Sequence, residues 1–258
     1  MRRWRSTLNY RFAVLLTRVL VSTFARWEIT GREHVPSTGP LVVISNHLHL
    51  LDPPLLTACC DRRLHPMAKR ELFELPLIGW YLRSYGAFPV RRFSADIGAL
   101  RVARTLLRDG EVVLMFPEGT RSRDGGMRAA LPGAAMVAML ANAPVLPIAI
   151  TGTEQVRAPG VFFAWARGAR PHIRVTIGEP FHLAASGADA ASAERATNEM
   201  MRHIAALLPE SYRGAYGIGS QGRVVFARQG ESTRAHIRPA ANDQEATPMP
   251  KQPPTNVQ

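Results

Sequence analysis

Short apolar runs alternate along this chain with longer stretches of helical spacing, and turn-forming residues separate them. Leu41-Val42-Val43-Ile44, between Pro40 and Asn46, reads as a buried strand. Pro53 to Cys60 fits a short helix, with Asp52 as its cap and Pro53 at its first position. Pro66-Met67-Ala68 reads as a further short strand. Leu77 to Tyr85 reads as a helix stopped by Gly86, and Ala87-Phe88-Pro89-Val90 as an extended piece. Ser94 to Arg108 is a helix with Ile97, Leu100, Ala103 and Leu107 along one face, ended by Gly110. Val112 to Phe116 is a strongly apolar strand, followed by a polar, glycine-rich loop from Pro117 to Arg128. A small-residue helix from Gly133 to Ala141, strands at Val145 to Ile150 and Ile173 to Ile177, and a long helix from Ala190 to Leu208 complete the series. Alternating strands and helices predict an α/β fold: a largely parallel or mixed central sheet flanked by helices.

The two ends read differently from this middle. Phe12-Ala13-Val14-Leu15-Leu16 follows Arg2, Arg3 and Arg5, but Arg18 interrupts the apolar stretch and no small-residue cleavage site follows. At 100° per residue, Thr7, Arg11, Arg18 and Ser22 form one stripe, away from Phe12, Leu16, Val19, Leu20 and Phe24. That is the arrangement of an amphipathic helix lying in a membrane interface with its arginines toward lipid phosphates. A helix packed on the domain accounts for the same stripe; Trp4, Trp27 and the flanking arginines favour the interface. Beyond about Tyr216 the periodicity fades. From Ala240 the chain is rich in Pro, Gln, Asn and Thr, the composition of a disordered tail.

A formal net charge of +12 over 258 residues draws the chain to polyanions, and charge alone does not choose among nucleic acid, anionic lipid and phosphorylated substrates. The only cysteines, Cys59 and Cys60, are neighbours and cannot close an unstrained disulfide, which argues against a stapled secreted domain.

Candidate chemistry falls just after predicted strands, where α/β sheets gather ligands. His47 follows one strand, and Asp52 stands at the mouth of the next helix. A carboxylate on one ring nitrogen would fix the tautomer and raise the basicity of the other, making a general base. On spacing alone, a structural histidine bound to a helix-capping aspartate outweighs this reading. His49 suggests a metal site, but a metallo-hydrolase pattern needs an aspartate one place earlier and a further histidine, so His49 is assigned a supporting or structural place. Pro117 to Ser122 reads as an anion site, with Gly119 allowing close approach and Arg121 offering a fork for phosphate. Arg92 and Lys69, the only lysine besides Lys251, also follow strands. Singly these are solvated loop charges, Glu118 pairing Arg121; three bases at three strand ends argue for more.

Together these residues resemble the glycerolipid acyltransferases, specifically the bacterial 1-acylglycerol-3-phosphate acyltransferases. The first block of that family, Asn-His-x-x-x-x-Asp, is matched by Asn46-His47-Leu48-His49-Leu50-Leu51-Asp52. The second is matched by Gly86 to Arg92, the third by Phe116-Pro117-Glu118-Gly119-Thr120-Arg121-Ser122, and the fourth by Val145 to Ile150. Four blocks in order are specific where each alone is weak. The resemblance, covering roughly Trp27 to Leu208, implies that His47 is the base and Asp52 orients it. Lys69, Arg92, Glu118, Gly119, Thr120 and Arg121 then form the substrate-binding set, the bases holding the acceptor phosphate. It implies acyl transfer from acyl-CoA or acyl-carrier protein to a lysophospholipid, with no metal, no cofactor and no nucleic acid. Where that family often has an acidic or neutral residue, this chain has Arg91, which blurs whether Arg91 or Arg92 meets the phosphate. The expected parts are residues 1–26, an interfacial helix; 27–215, the acyltransferase domain; and 216–258, a disordered tail, on the cytoplasmic face of a membrane. Alternatives are another lysolipid acceptor such as a lyso-ornithine lipid, a metal-dependent hydrolase, and a nonenzymatic lipid-surface binder.

Overall fold

The computed structural model describes residues 7–91, 96–156, 160, 165–184 and 189–218. The expected tail falls outside them from residue 219 onward, as do Trp4, Arg92 and Ser94.

Seven strands form one sheet: β1 (Arg26–Thr30), β2 (Leu41–Ser45), β3 (Leu64–Lys69), β4 (Phe88–Val90), β5 (Val112–Met115), β6 (Val145–Thr151) and β7 (His172–Ile177), in the order β1-β7-β6-β2-β5-β3-β4. From β6 to β4 every pairing is parallel; β7 joins β6 antiparallel and carries β1 parallel on its far side. The sheet is therefore mixed, with a parallel block of five strands whose C-terminal ends share one edge.

Strands β2 and β5 are buried on both faces, and their side chains alternate between two cores. Leu41, Val43, Val112 and Leu114 point to one, with Leu55, Leu56 and Cys59 of helix α2 (Asp52–Cys59) and Val21 of α1 (Thr7–Phe24). Val42, Ile44, Val113 and Met115 point to the other. There they meet α4 (Ile97–Arg108), α5 (Gly133–Ala141) and the last long helix, α6 (Ala190–Leu207). The remaining helix, α3 (Pro76–Ser84), packs beside α1.

Most expected elements are present, with shifted ends. The strand foreseen at Pro66–Ala68 begins at Leu64, and the helix foreseen from Ser94 is described from Ile97, capped by the Asp96 side chain on the Ala99 N–H. Ile97 is 59% exposed, so the buried face of α4 is carried by Ala99, Ala103, Leu106 and Leu107 instead. Strand β1 has no counterpart in the apolar spacing: only Trp27 and Ile29 turn partly inward, on an edge strand.

Helix α1 corrects the expected division of labour on its surface. The face it buries is small, Ala13, Thr17 and Val21 at helical spacing. Tyr85 donates to the Ala13 carbonyl at 2.9 Å, and the hydroxyls of Thr17, Tyr81 and Tyr85 bond one another. Arg18 turns inward rather than toward lipid phosphates. Its Nε and Nη2 donate to the Ala58 carbonyl at 3.1 and 2.9 Å, where a cation suits the C-terminal end of α2. Leu8, Phe12, Leu15, Leu16, Val19 and Leu20 face outward, and Leu77, Ile78 and Trp80 extend the apolar surface onto α3. Among the described residues no helix is long and apolar enough to cross a membrane.

Candidate active site

The turn after β2 begins with a side chain imitating the sheet. Asn46 donates from Nδ2 to the Ile150 carbonyl and accepts the Ile150 N–H at Oδ1, both at 2.8 Å. This continues the β2–β6 ladder past Ser45 while the main chain leaves the sheet plane. His47 follows, buried, at the C-terminal edge. Its Nδ1 lies 2.8 Å from Asp52 Oδ2, and the same oxygen accepts the Leu48 and His49 N–H groups, each at 2.7 Å.

This geometry corrects the expected role of Asp52 in the helix. Asp52 is the first residue of α2, after Leu51, and makes no capping bond to the amides ahead of it. Its carboxylate turns back onto the turn it follows. All three contacts fall on one carboxylate oxygen, which accepts from a proton carried on His47 Nδ1 and so leaves Nε2 as the ring nitrogen free to accept one. The ring lies against Phe116, with centroids 4.1 Å apart and planes at 24°.

Phe116 opens the loop after β5, the neighbour of β2. Pro117 and Glu118 form a turn closed by the Gly119 N–H on the Phe116 carbonyl at 3.0 Å. Gly119 then takes φ +66°, where a side chain is strained, and a Cβ there would stand 2.6 Å from Leu131 Cδ1. Glu118 is buried and does not pair Arg121. Its Oε1 accepts the His47 N–H at 3.0 Å and its Oε2 the Arg128 N–H at 2.9 Å. Burial pushes its carboxyl up to about 8, against the lowering effect of those two amides. The Ser122 N–H closes on the His47 carbonyl at 2.7 Å.

An open groove of about 820 Å³ runs beside this cluster, lined in part by Thr120, Arg121, Arg123, His49 and Tyr212. Tyr212 donates to Glu154 Oε1 at 2.7 Å across its far wall. His49 thus borders the open space, with Nδ1 accepting the Leu51 N–H at 3.4 Å.

The fold brings His47, Asp52, Glu118, Gly119, Thr120 and Arg121 together. Lys69 ends β3, two strands from β2 and so roughly 10 Å away along the same edge, and pairs with Glu71 at 3.4 Å in an exposed ion pair. Arg92 lies outside the described residues. The spacing gave no sign of the stacking of Phe116 under His47, or of Tyr212 and Glu154 in the groove wall. They come from distant stretches of chain, and only the sheet order joins them.

The Acyltransferase family model matches residues 26–151, the span from β1 to the end of β6. A chloroplastic 1-acyl-sn-glycerol-3-phosphate acyltransferase of Brassica napus is 30% identical over 185 residues, covering 70% of this chain and 52% of that protein. The chain thus spans about half the length of the plant relatives it matches. A Bacillus subtilis protein of the same name is 29% identical over 177 residues, covering 68% of this chain and 83% of the relative. The crystal structure of a 1-acyl-sn-glycerophosphate acyltransferase from Thermotoga maritima superposes with a TM-score of 0.59 at 25% identity, over 77% of this chain and 79% of that one. With the histidine–aspartate pair and the Phe116–Ser122 loop meeting at one sheet edge, these matches make the chain a member of the acyltransferase family.

Proposed function

We propose that this chain moves an acyl group from a thioester donor, acyl-CoA or acyl-carrier protein, to the free hydroxyl of 1-acylglycerol-3-phosphate, giving phosphatidic acid. The observation that carries the reading is the 2.8 Å contact between His47 Nδ1 and an Asp52 oxygen already holding two main-chain amides. His47 Nε2 takes the proton of the acceptor hydroxyl as its oxygen attacks the thioester carbonyl. The tetrahedral adduct collapses, the carbon–sulfur bond breaks, and the proton passes to the departing thiolate. Atoms balance with no cofactor and no acyl-enzyme. Arg121, which lines the groove, and Lys69, further along the same edge, are assigned to the acceptor phosphate, as is Arg92 from its sequence block. Glu118, Gly119 and Thr120 are assigned to the glycerol end of the acceptor from the same sequence block as Arg121.

The acceptor is a lipid, and the outward apolar residues of α1 and α3 suit an enzyme resting on the cytoplasmic face of a membrane, where soluble thioesters reach it. The test is acyl transfer by purified protein in micelles, offering lysophosphatidate beside other lysolipids, including a lyso-ornithine lipid, with both donor types. Lysophosphatidate is expected to be preferred, and His47→Ala to lower kcat by at least about 100-fold. Full activity of that variant, or a phosphate-free lysolipid as the better acceptor, overturns the reading.

A further inference from the structure

The last described stretch of the chain lies beyond residues 26–151, which the family model matches, and it reaches back to the loop that carries Arg121. Two main-chain hydrogen bonds join them. The Met127 N–H donates to the Tyr212 carbonyl and the Ala215 N–H to the Met127 carbonyl, both at 2.9 Å. Gly214 stands between these bonds at φ +48°, and a Cβ there would lie 2.4 Å from the Met127 carbonyl oxygen, so the two main chains approach this closely only at a glycine. Arg213 fastens the base of the stretch: its Nε donates to the Leu208 carbonyl at 3.0 Å and its Nη1 pairs with Glu210 at 2.9 Å. Tyr212 is held at a second point, because its hydroxyl donates to Glu154 Oε1 at 2.7 Å. Glu154 sits in the short turn Thr153–Gln155 directly after β6. The stretch is thus a strap between the end of the parallel block and the loop after β5.

The loop has reason to need one. Ser122 Oγ donates to Asp124 Oδ1 at 2.8 Å and accepts the Gly125 N–H at 3.1 Å, and the Gly126 N–H reaches Asp124 Oδ1 at 3.3 Å. These bonds shape the turn from within and do not fasten it to the body of the protein. Gly125 and Gly126 also have the most backbone freedom to lose. The Ser122 N–H anchors the near end, and the strap anchors the far end at Met127. Arg121 and Arg123 line the groove together with Ser211, Tyr212 and Glu154, so the strap and the loop it holds are parts of one recess. We propose that Tyr212 is a positioning residue for the acceptor phosphate: bonded at its carbonyl to Met127 and at its hydroxyl to Glu154, it keeps the Arg121 loop in the arrangement that receives the phosphate. This rests on the reading of Arg121 as phosphate-binding. An unfastened loop is competent for only a fraction of the time, and the apparent affinity for acceptor falls by that fraction, while the chemistry after seating does not change.

The experiment measures kcat and both KM values in the lysophosphatidate assay, with thermal melts to establish folding. Tyr212→Phe deletes only the hydroxyl and is expected to raise the acceptor KM by about 10-fold, with kcat and the donor KM unchanged. Gly214→Ala attacks the other attachment, at Met127, and is expected to move the acceptor KM the same way. Glu154→Gln keeps an oxygen for the Tyr212 hydroxyl and is expected to stay near wild type, whereas Glu154→Ala should match Tyr212→Phe. Should Gly214→Ala not fold, the Tyr212 and Glu154 variants carry the comparison. A double-mutant cycle gives the second measurement: in an Arg121→Ala background, Tyr212→Phe is expected to add no further rise in acceptor KM, because the group it positions is gone. An unaltered acceptor KM in Tyr212→Phe, a parallel fall in kcat or rise in donor KM, or a full additional loss in the Arg121→Ala background overturns the inference. Failure of the underlying reading is distinguishable, because it shows as an unchanged acceptor KM in Arg121→Ala with Tyr212 intact.

Discussion

Asp52 concentrates its accepted hydrogen bonds on one oxygen. Oδ2 takes the His47 ring and two amides, while Oδ1 is buried without a hydrogen-bond partner. Asp52→Asn can therefore keep all three bonds through its carbonyl oxygen, placing the NH₂ group where Oδ1 stands. The turn should persist at a loss of about 1–3 kcal/mol for the buried unpaired donor, read by chemical denaturation. The charge that stabilises a protonated His47 is lost, so kcat should fall by about 100-fold even in the folded fraction. Glu118 makes a separate prediction about pH. Its carboxyl titrates at about 8 in the folded chain, raised by burial, and near 4.5 in the unfolded one. Between these values the folded state holds a proton the unfolded state has released, so raising the pH favours unfolding. This contribution to stability is present below pH 4.5 and is lost as pH rises to about 8. Glu118→Gln, which does not titrate, should flatten that part of the stability profile measured by urea denaturation from pH 5 to 8.

Helices differ in how far their apolar spacing announces their packing. In α6 the stripe Ala193, Ala196, Met200 and Ile204 is the buried stripe, as helical period requires. In α1 the larger apolar side chains turn outward, and the buried face is made of Ala13, Thr17 and Val21, with Arg18 reaching α2. Arg18→Met keeps the apolar stem but removes two donors from the Ala58 carbonyl; stability should drop by about 1–3 kcal/mol in denaturant titration, with kcat per folded molecule unchanged. That contrast explains what was legible. Buried strands such as Leu41–Ile44 and Val112–Met115 declare themselves because both faces are covered and every position is apolar. His47 and Asp52 were legible as a pair because the bond spans five residues of one turn. Edge strand β1, with two partly inward residues, falls below the threshold of any periodic signal. Glu118 was legible as a residue beside the site, but not its contacts: only the fold turns its oxygens to the His47 and Arg128 amides rather than to Arg121.

Taken as one body, the molecule gathers its candidate chemistry on one sheet edge and a broad apolar surface on α1 and α3. Leu50, three residues after His47, is itself exposed, so apolar surface also borders the loop that carries the base. A lipid acceptor lying with its chain along such a surface brings its headgroup to the strand ends without leaving the bilayer interface. Apolar insertion, rather than charge alone, should then supply much of the membrane affinity. A Phe or Leu side chain contributes about 1.5–3 kcal/mol when removed from water. Phe12→Ser with Leu15→Ser, both on the outward face of α1, should weaken partitioning onto vesicles by at least about 100-fold in a sedimentation assay. Neither residue belongs to the catalytic edge, so kcat on a water-soluble, short-chain lysophosphatidate should be unaffected, while turnover of long-chain acceptor held in vesicles should fall with binding. If raised salt alone released the wild-type protein from anionic vesicles, and the double substitution did not, the basic surface rather than this apolar face would be the anchor.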